Sequence, residues 1–203
     1  MANRRRPVQA RSHDTVQRIL DAAHDVLAER GYPDCSTNRI ADAAGISKGS
    51  LYQYFSDKDD VLVRLADRIA EDITAQISQQ IDRNLGPDWQ VLASAVLDAV
   101  FDAVDRHSPV LRTMLTDAPQ LRVLERMESI TARAVDVGRT YIALNRTQFR
   151  EELDVDATLA VLVAGLRAIM SDYVQGTSPI EQCRLKKALR QLTFNALVVD
   201  RHQ

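Results

Sequence analysis

The stretch STNRIADAAGISKGSLYQYFSDK, residues 36–58, decides the fold predicted for this chain, because it encodes two short helices joined by a tight turn. Ser36 is placed to cap the first helix, since its hydroxyl can accept a backbone N–H of the opening turn. Gly45 ends that helix, because glycine adopts the left-handed conformation without steric cost. Ser47 can cap the second helix, whose buried face consists of two apolar residues four positions apart, Leu51 and Phe55. The stretch therefore predicts a helix-turn-helix, a motif whose second helix enters the DNA major groove.

The outward side of the second short helix carries residue types suited to DNA. Reading DNA requires some side chains that hold the phosphates and others that reach base edges. Lys48 can reach a guanine edge or a phosphate, and Gln53 offers the donor and acceptor that suit adenine. Gly49 and Ser50 are small enough for the helix to sit close to the groove floor, and Tyr52 projects outward.

Two residues that follow, Tyr54 and Lys58, are predicted to contact phosphates. Simpler roles stay open for part of this set. Either Tyr52 or Tyr54 can pack against the helices, and Lys58 can be an ordinary surface cation. The motif taken as a whole favours DNA contact for most of these side chains.

The run I-A-x-x-A-G-I-S-K-G-S-L-Y-Q-Y-F-x-x-K, preceded by a helix that ends in E-R-G-Y, resembles the tetracycline-repressor (TetR) family. The resemblance in detail covers about residues 16–65. It implies that Thr37 contacts a backbone phosphate and that Asn38 can reach a base. It also implies a homodimer on double-stranded, palindromic operator DNA, a small-molecule effector of unknown identity, and repression as the sign of regulation.

The first eleven residues form a basic arm in this prediction, because Arg4, Arg5 and Arg6 precede any acidic residue. We expect the arm to be disordered in isolation. It is either a solvated tail or a segment that follows phosphates or enters a minor groove. Together with the helix-turn-helix, the predicted DNA-binding set is Arg4, Arg5, Arg6, Ser36, Thr37, Asn38, Ser47, Lys48, Gly49, Ser50, Tyr52, Gln53, Tyr54 and Lys58.

The composition, 45% hydrophobic and 27% charged in 203 residues, is typical of a globular protein. No apolar run reaches the ~18 residues of a membrane span, and the basic start lacks the apolar segment of a secretory signal, so we expect a cytoplasmic protein with no membrane partner. The spacing of Cys35 and Cys183 fits neither a zinc site nor a disulfide framework, and no cofactor is predicted. The net charge is −2, but residues 1–58 hold nine Lys/Arg against seven Asp/Glu, which favours a DNA-binding head.

Apolar residues recur at helical spacing along the chain, so the predicted fold is all-α. One amphipathic helix is expected before the helix-turn-helix and a long one after it. Ser108-Pro109 and Ala118-Pro119 are expected to break the chain, with one helix from Pro119 to about Leu144. The predicted domains are a basic N-terminal arm (1–11), a three-helix helix-turn-helix DNA-binding domain (12–58) and a helical effector-binding and dimerisation domain (59–203).

The segment 156–174 is apolar on nearly all sides over its first half. We expect it to be buried all round, with a neighbouring subunit covering what one chain cannot. Together with the apolar face of the last helix it suggests a four-helix dimer interface, and the alternative is a helical hairpin within one chain. The predicted interface residues are Leu162, Leu166, Leu185, Leu189, Leu192 and Ala196.

The TetR resemblance implies a small-molecule pocket in the second domain, whose occupancy changes the spacing of the two DNA-binding heads. Methionines and aromatics suit adaptable apolar pockets, although each is also an ordinary core residue. On that ground the candidate ligand-binding residues are Phe101, Met114, Met127, Tyr141 and Met170.

Enzymatic activity is not predicted, because the sequence contains no phosphate loop, nucleophile elbow or zinc-protease motif. Acidic residues do cluster at Asp98, Asp102 and Asp105, and such clusters can act as acids or bind cations. A solvated helix face is the simpler interpretation of them. The alternative to a ligand-controlled regulator is a DNA-binding regulator controlled by a protein partner instead of a small molecule.

Overall fold

The structure of the chain is a computed structural model that describes residues 5–86 and 88–197, with side chains described from Ser12 onward. The predicted all-α fold is confirmed. The α-helices of the described residues are α1 (Arg5–Asp34), α2 (Thr37–Ala44), α3 (Lys48–Leu51), α4 (Lys58–Asn84), α5 (Trp89–Asp117), α6 (Val123–Arg126), α7 (Glu128–Leu144), α8 (Val155–Gln175) and α9 (Gln182–Leu197). Short 3-10 helices occupy Pro119–Leu121 and Arg146–Gln148.

The chain forms two compact units. The first unit contains the residues up to Ile69 together with Pro109–Leu124. The second unit contains Ala70–Ser108 and the residues from Glu125 onward. By packing, the first unit is therefore larger than the predicted DNA-binding domain, because it includes the first turns of α4 and a later segment of the chain.

The first unit is built on α1, and α2 packs against this helix. Gly31 interrupts α1 with φ 71°, so the helix stop predicted at this glycine is confirmed. The fully buried side chains that hold α1, α2 and α3 together are Ile19, Leu20, Leu27, Ile40 and Leu51. Burial of such side chains stabilises each by roughly 1.5–3 kcal/mol, and this is what fixes the orientation of the two short helices.

The N-terminal arm differs from its prediction, because α1 begins at Arg5 and the backbone from there is helical. Arg4 lies outside the described residues. The side chains of Arg5 and Arg6 also lie outside them, so the DNA contacts of all three arginines stay predictions.

The break predicted at Ala118-Pro119 is confirmed, but the break at Pro109 and the single helix expected after Pro119 are wrong. Pro109 lies inside α5, which continues to Asp117, because the fixed φ of proline fits a helix and the flanking Val110 and Met114 are fully buried. The helix expected from Pro119 to Leu144 is divided instead. Arg122 has φ 52° and ψ 44°, and this left-handed conformation cannot belong to a right-handed helix.

The second unit has its own apolar core, to which α5, α7, α8 and α9 contribute. Its buried members are Leu92, Tyr141, Ile142, Phe149, Leu159 and Leu197. Helix α7 packs closely on α8 at Gly138, where an added Cβ would lie 2.9 Å from Leu159 Cδ2. A side chain at position 138 would therefore displace the methyl groups of Leu159.

In the single chain α8 is buried on one side, and the prediction that a neighbouring subunit covers the rest stays a prediction. One side, which includes Leu159 and Met170, is buried, whereas Val161 on the other side is 71% exposed. The exposed apolar residues Ala157, Ala160, Val161, Ala164, Gly165 and Ala168 are called the outer face of α8. Among the described residues, α8 is also the one helix long and apolar enough to cross a membrane, but the exposed Arg167 interrupts its surface.

Candidate nucleic-acid interface and internal cavity

The helix-turn-helix is closed by the three capping residues that the sequence predicts. Ser36 Oγ accepts a hydrogen bond from the Arg39 N–H at 3.4 Å, and Ser47 Oγ accepts one from the Ser50 N–H at 3.1 Å. Gly45 lies in the left-handed region, with φ 66° and ψ 37°, and its N–H donates to the Asp42 carbonyl at 3.1 Å. Together these hydrogen bonds satisfy backbone groups that the helix ends would otherwise leave unpaired.

The turn between α2 and α3 is also tied to α1, which the sequence did not predict. Arg18 Nη2 donates a hydrogen bond of 2.5 Å to the carbonyl of Ala44. The same nitrogen would lie 3.3 Å from a Cβ added at Gly45, so the glycine makes room for the guanidinium. Arg18 and Ala44 are 26 residues apart, and no local pattern links an arginine to a carbonyl at that distance.

The side of α2 and α3 that is exposed to solvent carries mainly polar residues. Five residues of the predicted set form it and are called the reading surface: Asn38, Lys48, Gly49, Tyr52 and Gln53. The Tyr52 hydroxyl lies 3.2 Å from Thr37 Oγ1, and Lys48 Nζ lies 5.6 Å from the centre of the Tyr52 ring. Tyr52, at 46% exposed, therefore links a residue of α2 to a residue of α3 at the surface and does not pack into the core.

Four further helix-turn-helix residues of the predicted set are less accessible, and one more is exposed. Ser36, Thr37, Ser50 and Tyr54 are half-buried, and Ser47 is exposed. Because the hydroxyls of Ser36 and Ser47 accept hydrogen bonds as helix caps, both residues have a structural role already.

Lys58 contacts the protein itself. Its Nζ lies 3.7 Å from the centre of the Tyr32 ring and donates to the Tyr32 carbonyl at 3.1 Å. The Tyr32 hydroxyl in turn donates to Asp59 Oδ1 at 2.8 Å and accepts from Gln120 Nε2 at 2.7 Å. Burial and the neighbouring carboxylate of Asp59 raise the pKa of Tyr32 to about 12. This network is called the Tyr32 cluster, and Lys58 is part of it.

The second unit contains a partly open apolar cavity of about 150 Å³, lined by residues of α4, α5, α7, α8 and α9. Small residues help to create it, among them Ala93, Ala134 and Gly138. The lining contains no charged side chain in the described part of the chain. A space of this size is comparable to an engineered protein cavity that holds benzene.

Three polar side chains reach the wall of the cavity. The Tyr141 hydroxyl donates to the Gly86 carbonyl at 2.6 Å, and burial, followed by the charge of Asp88, raises the pKa of this tyrosine. The Thr193 hydroxyl donates to the Leu189 carbonyl at 2.8 Å. Trp89 Nε1 is buried and has no hydrogen-bond partner among the described residues.

Of the five predicted ligand-binding residues, Tyr141 lines this cavity and the other four do not. Phe101 and Met114 are fully buried, Met170 is buried, and Met127 is half-buried. The prediction relied on adaptable side chains, whereas the cavity arises where small residues leave helices incompletely packed. The signal that could have found it is the spacing of Ala134, Gly138 and Tyr141 on one face of α7.

Most of the predicted dimer residues also contact the interior of their own chain, and their role in a dimer stays a prediction. Leu162, Leu166 and Leu189 line the cavity, and Leu185 is buried. Ala196 packs against the core of the second unit. Leu192, at 60% exposed, is the member of the set that is open to a partner.

The acidic residues of α5 contact α8 and α9 through their side chains, although Asp102 and Asp105 are also exposed to solvent. Asp98 Oδ2 accepts from Arg190 Nη2 at 2.6 Å, and Asp102 Oδ1 lies 3.4 Å from Lys186 Nζ. Asp105 accepts from the Tyr173 hydroxyl at 2.6 Å. Within the described residues, no group of three or more His, Cys, Asp or Glu side chains could hold a metal ion.

Comparison with known proteins places these features in a family context. The sequence pattern of "bacterial regulatory proteins, tetR family" matches residues 19–65. TtgW, an uncharacterized HTH-type transcriptional regulator of Pseudomonas putida, is 32% identical over 110 residues, which is 51% of this chain and 72% of TtgW.

A second relative matches over more of the chain. BepR, an HTH-type transcriptional repressor of Brucella suis biovar 1, is 25% identical over 181 residues, which is 84% of this chain and 86% of BepR. The crystal structure of a regulator from Mesorhizobium loti assigned to the tetR family superposes with a TM-score of 0.73 at 20% identity, over 93% of this chain and 99% of that one. At that level of identity the structural likeness shows the fold alone.

Proposed function

This chain belongs to the TetR family of bacterial transcriptional regulators, and on that premise we propose that it is a repressor that leaves a palindromic operator when a small molecule fills the cavity of its second unit. The observation that carries the proposal is the reading surface. It presents exposed polar residues from a capped helix-turn-helix whose orientation is fixed by a buried core. A rigid element of that kind is what major-groove recognition requires.

The proposed roles on the reading surface follow from side-chain chemistry. Lys48 can donate to a guanine edge or to a phosphate, and Gln53 can pair with adenine. Gly49 lets the backbone approach the groove floor. Tyr52 holds the Thr37 hydroxyl at 3.2 Å, which supports the pair as a single phosphate contact.

Recognition of a palindrome requires two copies of the chain. Two recognition helices must lie about 34 Å apart, one turn of DNA, to enter successive major grooves. We assign the dimer contact to the outer face of α8 together with Leu192, because these residues expose apolar surface that a single chain leaves uncovered. This proposal keeps Leu192 from the sequence prediction and adds the outer face of α8 to it.

The cavity supports a role for a small molecule. A ligand that binds more tightly to the conformation with the wrong head spacing lowers operator affinity by that difference in binding, typically about 1–3 kcal/mol. The second candidate function is a regulator controlled by a protein partner, and the exposed apolar residues of α8 favour it as well. Thermal unfolding separates the two, since a ligand of the folded cavity raises the midpoint whereas a regulator without such a ligand shows no shift.

The test of DNA recognition is selection of bound sequences from a random duplex pool with the purified full chain. We expect enrichment of a palindrome with half-sites one helical turn apart. An absence of enrichment even at low salt, where phosphate contacts are strongest, would contradict sequence-specific reading.

The sign of regulation is tested by placing the selected operator over a promoter that drives a reporter. The relative BepR is named as a repressor, and we propose the same sign here, so expression should fall when this chain is present. A rise in expression would identify an activator. Access to chromosomal DNA also places the protein, in this proposal, in the cytoplasm.

A further inference from the structure

A second, smaller pocket adjoins the cavity of the second unit. It is called the Arg133 pocket and is lined by residues of α4 and α7 that include Thr74 and Arg133. Its volume is about 10 Å³, roughly the space of one water molecule. Two residues of α4 and two of α7 line both spaces: Ile77, Ile81, Ala134 and Val137. The cavity and the Arg133 pocket therefore share the part of the wall that these two helices provide.

Arg133 contributes the one charged side chain of this lining in the part of the chain that the structure describes. Its guanidinium forms no ion pair with any of the described residues. Asp136 lies three positions further along α7, but its Oδ1 accepts from Arg139 Nη1 at 3.1 Å. Arg139 also donates to Asp156 Oδ1 at 2.8 Å. The positive charge beside the cavity is therefore available to a bound anion, whereas the next arginine of the same helix is already paired.

The face of α7 that lines the two spaces changes from charged to apolar along the helix. Arg133 comes first, and the residues that follow it on this face are small, apolar or aromatic: Ala134, Val137, Gly138 and Tyr141. With a rise of about 1.5 Å per residue, Arg133 and Tyr141 lie about 12 Å apart along the helix axis. An extended hydrocarbon chain of about eight to ten carbon atoms has this length.

Such a wall suits a molecule that is apolar at one end and anionic at the other. Each CH₂ group that leaves water for an apolar space raises affinity about fourfold. The ionised end can stay in contact with water, because Arg133 is exposed. The Thr74 hydroxyl already donates to the Ala70 carbonyl at 2.8 Å, so the guanidinium supplies the side-chain donors that remain in the pocket. A guanidinium can donate two parallel hydrogen bonds to one carboxylate.

We infer that the cavity and the Arg133 pocket together bind an amphipathic acid, with its hydrocarbon tail in the cavity and its carboxylate at the guanidinium of Arg133. The tail would follow the wall that α4 and α7 share between the two spaces. The regulatory meaning of this site rests on the proposed function, in which the cavity is the effector site.

The experiment is calorimetry on the full chain at pH 7 with two probes, octanoate and octanamide. Octanoate is ionised at this pH, and octanamide has nearly the same shape without the charge. We expect wild type to bind octanoate more tightly than octanamide. Arg133→Gln should lower the preference for octanoate about 3- to 5-fold, which is the size of effect expected for an ion pair that water still reaches.

Arg139→Gln is the matched control for Arg133→Gln. It removes the same charge from the same helix, but from a side chain that is paired with Asp136 and Asp156 and does not line either space. The ratio of the two dissociation constants should then stay at its wild-type value. Comparing ratios cancels any change in tail binding, because both probes have the same tail.

The placement of the tail is tested in two ways. In the series hexanoate, heptanoate and octanoate, each added carbon should raise affinity about fourfold, as expected for a tail that enters an apolar space. Ala93→Leu fills the cavity from α5 and should abolish binding of octanoate and octanamide alike. Affinity that does not depend on chain length, or unchanged binding in a folded Ala93→Leu protein, would place the tail outside the cavity and overturn the inference.

Equal affinity of wild type for the two probes, or the same change of ratio in Arg133→Gln and Arg139→Gln, would overturn the role of Arg133. Absence of octanoate binding would overturn the inference as a whole and leave the proposed function standing. Affinity for the selected operator, measured with and without octanoate, keeps the two apart. If octanoate binds through Arg133 and operator affinity does not change, the inference stands and the effector role of the cavity is refuted.

Discussion

The helix-turn-helix and the second unit are both helical, but the surfaces that they leave exposed differ in polarity. The helix-turn-helix closes its own helix ends with Ser36, Gly45 and Ser47, and the surface that it leaves open is polar. The second unit leaves apolar surface open twice, inside at the cavity and outside on α8. Polar open surface is stable in water, whereas apolar open surface is unfavourable until something covers it. The first region is thus closed by contacts within one chain, whereas in the proposed function the second is completed by a ligand and a second copy.

The largest effect is expected from a charge on the outer face of α8. Val161→Glu should convert the dimer to monomers, because burying an unpaired carboxylate at an interface costs more than about 3 kcal/mol. Operator affinity should then fall at least ~100-fold through the loss of the second head. Analytical ultracentrifugation and a DNA titration measure the two effects.

Leu144→Glu is the matched control, since Leu144 is 78% exposed but lies at the end of α7. It should leave the dimer intact. If the Val161→Glu protein is still a dimer, the outer face of α8 is not the dimer contact and the interface lies elsewhere.

The next largest effect concerns the polar surface of the helix-turn-helix. The double variant Lys48→Ala, Tyr52→Ala should weaken operator binding by about 2–4 kcal/mol and leave the dimer and the thermal midpoint nearly unchanged, because both side chains are exposed. Lys187→Ala, an exposed lysine of α9, serves as the control for loss of charge alone. Equal affinity of the double variant and wild type would remove this surface from DNA reading.

Two glycine substitutions, one on α7 and one on α8, compare the side of α8 that packs on α7 with the side that is open. Gly138→Ala should lower the free energy of unfolding by about 1–3 kcal/mol, because its Cβ would lie 2.9 Å from Leu159 Cδ2. A Cβ at Gly165 meets nothing within 4 Å, so Gly165→Ala should raise stability by up to about 1 kcal/mol in a monomeric Val161→Glu background.

The same Gly165→Ala change in the wild-type dimer tests whether a second copy covers the outer face of α8. If the outer face of α8 is covered by a second copy, the added methyl meets that copy and the gain shrinks or reverses. A gain of the same size in dimer and monomer would show that the partner does not approach this position. Chemical denaturation of both backgrounds gives the measurement.

The smallest effect is a pH dependence in the Tyr32 cluster. The pKa of Tyr32 is raised from 10.0 to about 12, so the folded state holds this proton more tightly than the unfolded chain. The stabilisation is therefore complete below pH 10 and is lost between pH 10 and about 12, with a total of roughly 1–2 kcal/mol after solvent screening. Tyr32→Phe should flatten this part of the curve of unfolding free energy against pH. An equally steep loss in the variant would assign the effect to other groups.

The success of the sequence predictions depended on how many positions along the chain separate the interacting residues. The caps Ser36, Gly45 and Ser47 act on backbone groups within a few positions, and local spacing was sufficient to predict them. The hydrogen bond from Arg18 to the Ala44 carbonyl joins residues 26 positions apart and left no local signal. The same limit explains the fold predictions at prolines: Pro109 stays helical because of packing around it, which no local rule for proline includes.

The second unit was harder to predict because its features depend on which side of a helix meets which neighbour. Helix α8 is apolar on two sides, and sequence alone does not tell which side is covered by its own chain. The sequence prediction chose Leu162 and Leu166, which line the cavity, whereas the proposed dimer contact uses the outer face. The cavity depends more on small residues that leave space between the helices, such as Gly138, than on any distinctive side chain.

The position of the single tryptophan makes the protein its own optical sensor. Trp89 lies in the wall of the cavity, and the reading surface contains no indole, so the intrinsic fluorescence of the chain's tryptophan reports on the second unit alone. A change in that emission on addition of operator DNA would show that DNA binding alters the surroundings of Trp89. Thermodynamic linkage requires such a response to be reciprocal if the two sites are coupled. An unlabelled cuvette titration can therefore measure the coupling from both directions.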